Sequence, residues 1–187
     1  MYFDFGTRKT VEAIATIIRS ADRCSPPHMG AMRLLKLLYI ADRESLREIG
    51  SPILGTRPVA MPLGPVHSEA YDLIRGTRWG EEVWSEFIRR DGREVVLVRD
   101  PGVLALSRYE IEKLIETVRE YQDTEDFDLV AITHQFEEWK RNYREGTSTA
   151  IPLEDIIEAV GRGDDRDEIL DEARQSRELD KLFGAMA

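Results

Sequence analysis

Apolar residues recur at helical spacing over most of this chain, and the pattern predicts a mainly helical protein. The first apolar stripe passes through Val11, Ile14 and Ile18 and predicts a helix from about Thr7 to Arg23. The Ser25-Pro26-Pro27 run ends it, because proline supplies no N–H and restricts the residue before it.

The segment from about Gly30 to Glu48 predicts a second helix that is apolar on nearly every side. Its centre reads RLLKLLYIAD. A helix of this kind is normally buried, so we expect it at the centre of the core. Lys36 is the exception, and its amine must reach a partner or extend to water.

Glycine and proline interrupt the pattern from Gly50 to Gly64, and this segment predicts a long loop. A third helix is expected after Pro65, with Ser68 as its N-cap and Gly76 at its end.

Residues 82–98 predict a β-hairpin, because β-prone residues flank Asp91-Gly92. We interpret this hairpin as the one strand pair of the chain. The predicted fold class is therefore mainly α (α+β), a compact helical domain around a buried central helix with one small β-hairpin.

The second half of the chain predicts further helices. Ser107 and Glu110 form a capping box that starts a helix ending near Tyr121. A short helix carrying Phe136, with Trp139 near its end, should follow. A polar loop over 142–152 and a core helix closed by Gly161 complete a predicted domain of residues 1–160.

Residues 161–187 predict a charged C-terminal helical extension with few apolar positions. A helix with so narrow an apolar stripe is stable mainly when it is docked on something. We expect residues 164–187 to dock on a partner chain.

Composition narrows the classes of function. The chain has 187 residues and a net charge of −10, which argues against a broad nucleic-acid surface. No apolar run approaches the roughly 20 residues of a membrane span, and the first residues do not resemble a secretory signal. Cys24 is the single cysteine, so no internal disulfide can form and a cytoplasmic protein is expected.

No common catalytic motif is present in the sequence: neither a P-loop, a dinucleotide fingerprint, G-x-S-x-G nor H-E-x-x-H. We therefore expect no enzyme, no cofactor and no metal. One alternative is a metal-dependent hydrolase that uses His134, Glu137 and the nearby acidic cluster of residues 123–128. A DNA-binding autorepressor is a second alternative, although no predicted helix has a basic recognition face.

Two stretches are more specific than these patterns: KLLYIAD, residues 36–42, and VAMPLGPVHSEAYDLI, residues 59–74. Together and in this order they resemble the Panacea domain, the family that includes SocA-like antitoxins and phage-associated GepA-like proteins. The AITHQFEEW stretch and the later IPLEDI stretch also fit. The resemblance covers roughly residues 10–160, and the tail from Gly161 lies outside the family pattern.

The resemblance implies a mostly helical domain with a small hairpin, acting as the antitoxin of a toxin–antitoxin pair. The implied partner is a cognate protein toxin that the antitoxin binds directly. SocA-like members are also linked to a Clp protease, to which they deliver the toxin as adaptors. The sequence leaves the oligomeric state open, a homodimer included. A net charge of −10 would favour a basic partner by raising the association rate.

The resemblance also points to a set of motif residues that bind the partner or build the fold, two roles that the sequence does not separate. Three of them should pack the motif loop against the central helix, with a hydroxyl or carboxylate bonded to loop amides. The full set is Tyr39, Asp42, Met61, Pro62, Gly64, Pro65, His67, Ser68, Tyr71 and Trp139, of which Tyr39, Asp42 and Tyr71 are those three.

Overall fold

The structure, a computed structural model, describes residues 2–3, 6–21, 25–77 and 81–184. The described helices are α1 (Gly6–Ala21), α2 (Ala31–Ile49), α3 (Ser68–Arg75), α4 (Glu81–Phe87), α5 (Arg108–Glu120), α6 (Asp126–Thr133), α7 (Glu137–Asn142), α8 (Leu153–Ala159) and α9 (Arg166–Gly184). The described strands are β1 (His28–Gly30), β2 (Pro58–Met61), β3 (Gly64–His67), β4 (Ile88–Asp91), β5 (Glu94–Leu97) and β6 (Thr149–Ala150). The mainly helical fold class is confirmed.

The central position expected for α2 is confirmed. Every residue from 34 to 42 of this helix is buried, and the helix packs against α1, α5 and α6. It ends at Gly50, which adopts a left-handed conformation with φ +76° and donates its N–H to the Leu46 carbonyl. This left-handed ending favours glycine because it has no Cβ.

The hairpin predicted over residues 82–98 is present but shorter. β4 pairs with β5 around a Gly92-Arg93 turn, and β1 joins the other edge of β5 in a three-stranded sheet. The expectation of a strand before residue 88 is wrong, because Glu81–Phe87 forms α4. Trp84 and Phe87 lie three residues apart, and both are buried, which suits one face of a helix.

The expectation of one strand pair, with a loop over residues 50–64, is also wrong. β2 and β3 form a second hairpin, in which Val59 pairs with Val66 and Met61 with Gly64. β3 is an edge strand of this sheet, so the missing N–H of Pro65 breaks no ladder. The predicted polar loop over residues 142–152 contributes β6, which pairs with β2 on its other side.

The capping box that starts α5 is confirmed. The Ser107 hydroxyl accepts from the Glu110 N–H at 3.3 Å, and the Glu110 carboxylate accepts from the Ser107 N–H at 2.7 Å. The expected helix that carries both Phe136 and Trp139 is wrong, because α6 ends at Thr133 and α7 begins at Glu137. Phe136 occupies the extended cap position between the two helices.

A second hydrophobic core lies beside the main one, and it includes the start of the C-terminal extension. Leu46 of α2 and Ala60 of β2 contribute to it, together with residues of α8 and α9. The α9 residues in this core are Ile169, Leu170 and Ala173. The first part of α9 therefore packs on its own chain, and docking on a partner stays a prediction for the remainder.

Some predicted positions lie outside the described residues. They are Arg23 at the end of the first predicted helix, Cys24, and the last three residues of the chain. Among the described helices, none combines the length and apolar character that crossing a bilayer requires.

Candidate functional site

The most specific sequence motif, VAMPLGPVHSEAYDLI, folds into the β2–β3 hairpin and α3. Pro62 and Leu63 form the turn between the strands, and the Leu63 side chain is 51% exposed. We call the turn and the residues on either side of it, 61–64, the hairpin tip. The tip projects an apolar side chain into solvent, although the strands behind it are buried.

Gly64 lets the hairpin tip lie directly on α6. Its φ is +94°, a conformation that favours glycine. A Cβ at this position would lie 2.5 Å from Thr133 Oγ1 and 3.0 Å from Lys36 Nζ. The glycine of the motif is therefore required by both backbone conformation and space.

Lys36 of α2 supports the same hairpin from within the core. Its side chain is 1% exposed, and Nζ donates a hydrogen bond to the Pro65 carbonyl at 2.9 Å. Burial lowers the pKa of Lys36 to about 7, because a low-dielectric environment disfavours the ammonium form. The expectation that this amine must reach a partner is confirmed, and the partner is the backbone of the motif.

Asp42 anchors the segment that leads into the hairpin. Oδ1 accepts a hydrogen bond from the Leu54 N–H at 2.6 Å, so the expected contact between a central-helix carboxylate and loop amides is confirmed. Oδ2 lies 3.4 Å from Nε2 of His67 at the end of β3. Burial raises the pKa of Asp42, and His67 and the backbone N–H groups of Ile53 and Leu54 oppose this shift. Burial lowers the pKa of His67, and Asp42 opposes that shift.

Tyr39 does not contact loop amides as expected. Its hydroxyl donates to Glu138 Oε1 at 3.1 Å, and Arg43 Nε donates to the same oxygen at 2.8 Å. Glu138 is fully buried in α7, so this cluster ties α7 to the central helix. Burial, and secondly the charge of Glu138, raise the pKa of Tyr39 well above its ordinary value.

Trp139 holds the hairpin tip from its other side. Its indole Nε1 donates to the Met61 carbonyl at 3.0 Å, and its ring stacks on His134 at 4.0 Å and on Tyr143 at 4.7 Å. Burial lowers the pKa of His134, as does the charge of Lys36, whereas a hydrogen bond with the Pro62 backbone opposes the shift. Trp139 is therefore part of the structure that fixes the tip.

Two expectations for α3 need correction. The helix begins at Ser68, so the cap position falls on His67 and no side chain caps the helix. The Ser68 hydroxyl donates to Glu69 Oε2 at 3.0 Å instead. Tyr71 is half-buried, and its hydroxyl accepts from Arg75 Nη1 at 3.3 Å and contacts no loop amide.

A groove of about 450 Å³ opens between the hairpin tip, the first turns of α2, and α3. We call it the motif groove. Its apolar lining residues are Ala31, Met32, Leu35, Met61, Pro62, Leu63, Val66, Tyr71 and Ile74. Of the ten residues named from the sequence, Met61, Pro62, Gly64 and Tyr71 line this groove, whereas Tyr39, Asp42, Pro65, His67, Ser68 and Trp139 lie behind it.

Sequence reasoning missed Glu138 and Arg43 as parts of this region. Glu138 sits among other charged residues of α7, and nothing local separates it from its exposed neighbour Glu137. The burial of Glu138 depends on α2, which lies about a hundred residues earlier in the chain.

The residues of the metal alternative do not converge. His134 follows the last residue of α6, Glu137 begins α7, and the Glu137 carboxylate pairs with Lys140 at 2.9 Å. Of the acidic cluster, Asp126 receives a hydrogen bond from Arg33 at 3.3 Å. Within the described part of the chain, no group of three or more His, Cys, Asp and Glu side chains is placed to hold a metal ion.

The arrangement defines a helical domain whose motif hairpin is fixed from behind and presents an apolar groove in front. Residues 34–140 match the family described as antitoxin SocA-like, Panacea domain. This match covers more than half of the chain, so the protein belongs to the SocA-like antitoxin family. Comparison with curated proteins and with solved structures finds no match. Family membership supports an antitoxin role in general, which implies a toxin as the partner.

Proposed function

We propose that the protein neutralises a protein toxin by binding it directly, without catalysis, and that the toxin docks in the motif groove. Membership of an antitoxin family supports the first part. The observation that carries the second part is the groove itself, which is mostly apolar, about 450 Å³ in volume and lined in part by residues of the family motif. Apolar grooves with an exposed anchor are typical of protein-binding surfaces.

The way in which the hairpin tip is held also supports docking there. Lys36, Gly64 and Trp139 fix the tip by one hydrogen bond, one close backbone approach and one indole contact. A surface that is already ordered loses little conformational entropy when a partner binds. The exposed Leu63 is therefore presented at low cost to a complementary pocket.

The finer form of the proposal is that binding in the cytoplasm also delivers the toxin to a Clp protease. Its support is the resemblance to SocA-like adaptors. Co-expression with the toxin in a strain that lacks the protease separates the two forms. Growth that is rescued there supports blocking, whereas rescue that requires the protease supports delivery.

Co-expression with the product of the neighbouring gene tests the proposal. We expect this product to arrest growth alone and the wild-type chain to restore growth. Leu63→Asp should abolish rescue, because it places a charge in the apolar groove. Leu104→Asp is the matched control, since Leu104 is 93% exposed in the loop before α5, outside the groove.

Two results would contradict the proposal: a wild-type chain that leaves the arrest unchanged, or a Leu63→Asp variant that rescues as well as Leu104→Asp. Thermal melting followed by circular dichroism shows whether both variants are folded. Both positions are exposed, so substitutions there should change stability by no more than about 0.5 kcal/mol.

A further inference from the structure

A second hollow adjoins the motif groove. This hollow, also of about 450 Å³, lies between α3, α4 and the β4–β5 hairpin. Ile74, Arg75 and Arg90 line both spaces, so the two adjoin along these three residues. Trp84 and Val98 add apolar surface to the second part. We call the whole depression the extended groove.

The extended groove is cationic, in contrast to the chain as a whole. Arg75, Arg89 and Arg90 line it, and none of the described residues that line it is acidic. The chain carries a net charge of −10, so this absence of carboxylates is a local departure from its composition. A local field of this sign attracts negatively charged groups.

The guanidinium groups at the centre of the groove keep free donors. Arg75 bonds to the Tyr71 hydroxyl at 3.3 Å and lies over the Tyr71 ring. Arg90 Nε donates to the Gly92 carbonyl at 2.9 Å. Neither contacts a carboxylate of a described residue, and each guanidinium has five N–H donors. Arg89 is less available, because it lies 3.9 Å from Asp91, although both side chains are largely exposed.

We infer that the extended groove binds an acidic segment of a partner protein, with apolar side chains on the groove floor and carboxylates at Arg75 and Arg90. The inference rests on the proposed function, in which this segment belongs to the toxin. It replaces the expectation from net charge, which favoured a basic partner. Arginine and carboxylate groups match in geometry and bind by paired hydrogen bonds.

The apolar floor favours a protein segment over a nucleic acid. A phosphate backbone would meet the arginines, but it offers no apolar groups for Met32, Leu35 and Ile74. An amphipathic segment offers apolar side chains to the groove floor and carboxylates to the arginines, as in other grooves that bind peptides.

Peptide selection tests the inference and does not require the toxin itself. A random peptide library displayed on phage is selected against the purified full chain, and the most enriched peptide is labelled for fluorescence anisotropy. We expect enriched peptides to combine apolar residues with Asp or Glu. Their affinity should fall when salt is raised from about 50 mM to about 500 mM, because added ions screen the charges.

The double variant Arg75→Glu/Arg90→Glu should weaken binding at least about tenfold. A peptide with Lys in place of its Asp and Glu should bind this variant better than it binds the wild type. Arg108→Glu is the matched control, since its side chain is 92% exposed at the start of α5. Arg108 also lies away from the groove. Its neighbour Tyr109 contacts Glu48, which lies roughly 18 Å along α2 from the groove residue Lys36.

Several results would overturn the inference. In the selection, these are the absence of enrichment above background and enriched peptides that are basic or lack Asp and Glu. In the binding measurements, they are an affinity that the double variant leaves unchanged and a labelled DNA duplex that binds through the same arginines more tightly than the peptides do. A wild-type chain that fails to neutralise the toxin contradicts the proposed function but leaves the peptide result standing. Rescue of growth with a failed selection contradicts only the acidic partner.

Discussion

The Nζ atom of Lys36 donates a hydrogen bond to the carbonyl oxygen of Pro65 at a distance of 2.9 Å, joining the central helix to the motif hairpin. The bond joins a side chain whose pKa burial lowers to about 7 to the backbone beside the motif groove. Because burial lowers the pKa of Lys36, the stability of the fold depends on pH in a way that can be measured.

Lys36→Met should remove a pH-dependent part of the stability. Below pH 7 the folded and unfolded chains both bind the proton, and the cost of burying the ammonium is fully present. The pKa of Lys36 is about 7 in the folded chain, whereas the ordinary value of 10.5 applies to the unfolded chain. Between these two pH values the unfolded chain therefore binds more protons than the folded chain. Stability from Lys36 therefore rises with pH, by about 1 kcal/mol per pH unit.

Urea unfolding at pH 7, 8 and 9 measures this rise as the difference between wild type and Lys36→Met. Lys140→Met is the control, because Lys140 is exposed and pairs with Glu137 at the surface. Parallel pH profiles for wild type and Lys36→Met would contradict the assignment.

Gly64→Ala should destabilise the protein more than an alanine at another left-handed glycine. Gly92 has φ +59° and nothing within 4 Å of an added Cβ, so Gly92→Ala bears only the conformational cost of about 1 kcal/mol. Gly64→Ala adds the close approach to Thr133 Oγ1, and we expect a loss larger by about 2 kcal/mol. Equal losses in chemical denaturation would show that the hairpin does not press on α6.

Glu138→Ala should cost about 3 kcal/mol or more, because it leaves the Arg43 guanidinium and the Tyr39 hydroxyl without their shared acceptor inside the protein. Glu137→Ala, one position earlier, removes only an exposed ion pair and should cost at most about 0.5 kcal/mol. Denaturant unfolding of the two variants gives the comparison. A small loss for Glu138→Ala would mean that this cluster does not hold α7 to α2.

His67→Gln should reduce the loss of stability in mild acid. Burial lowers the pKa of His67, so below the ordinary value of 6.5 the unfolded chain takes up a proton that the folded chain does not. Stability from His67 is therefore lost as the pH falls through 6.5. The raised pKa of Asp42 has the opposite effect above its ordinary 3.8, since there the folded chain binds more protons.

The measurement is the change in melting temperature between pH 7 and pH 5. His28→Gln serves as control, because the His28 side chain is exposed at the start of β1. A change that is the same in wild type, His67→Gln and His28→Gln would remove His67 as the source.

Local signals in the sequence predicted the parts of the fold that local interactions determine. The α5 capping box needs only Ser107 and Glu110, three residues apart, and it forms as expected. The buried α2 was predictable because its apolar residues surround the helix. The Panacea motif likewise identified the segment that forms the hairpin tip and its groove.

The features that the sequence did not predict depend on distant partners. The β2–β3 hairpin pairs with β6, which lies about 90 residues later, and its short strands contain prolines that are typical of loops. Residues 83–87 alternate like a strand, yet α4 forms because Trp84 and Phe87 both reach the core. Tertiary contacts override propensity in such short segments.

The pairing of β2 with β6 bears on how short a fragment of this chain can be and still fold. The family match stops at residue 140, but β6 and α8 come later, and Ile151 and Ile157 cover Leu46 and Ala60. A fragment trimmed to the matched residues would leave one side of β2 without hydrogen-bond partners. It would also expose the side chains of Leu46 and Ala60 to solvent. Expression clones for crystallisation or interaction screening should therefore extend through α8 and into α9.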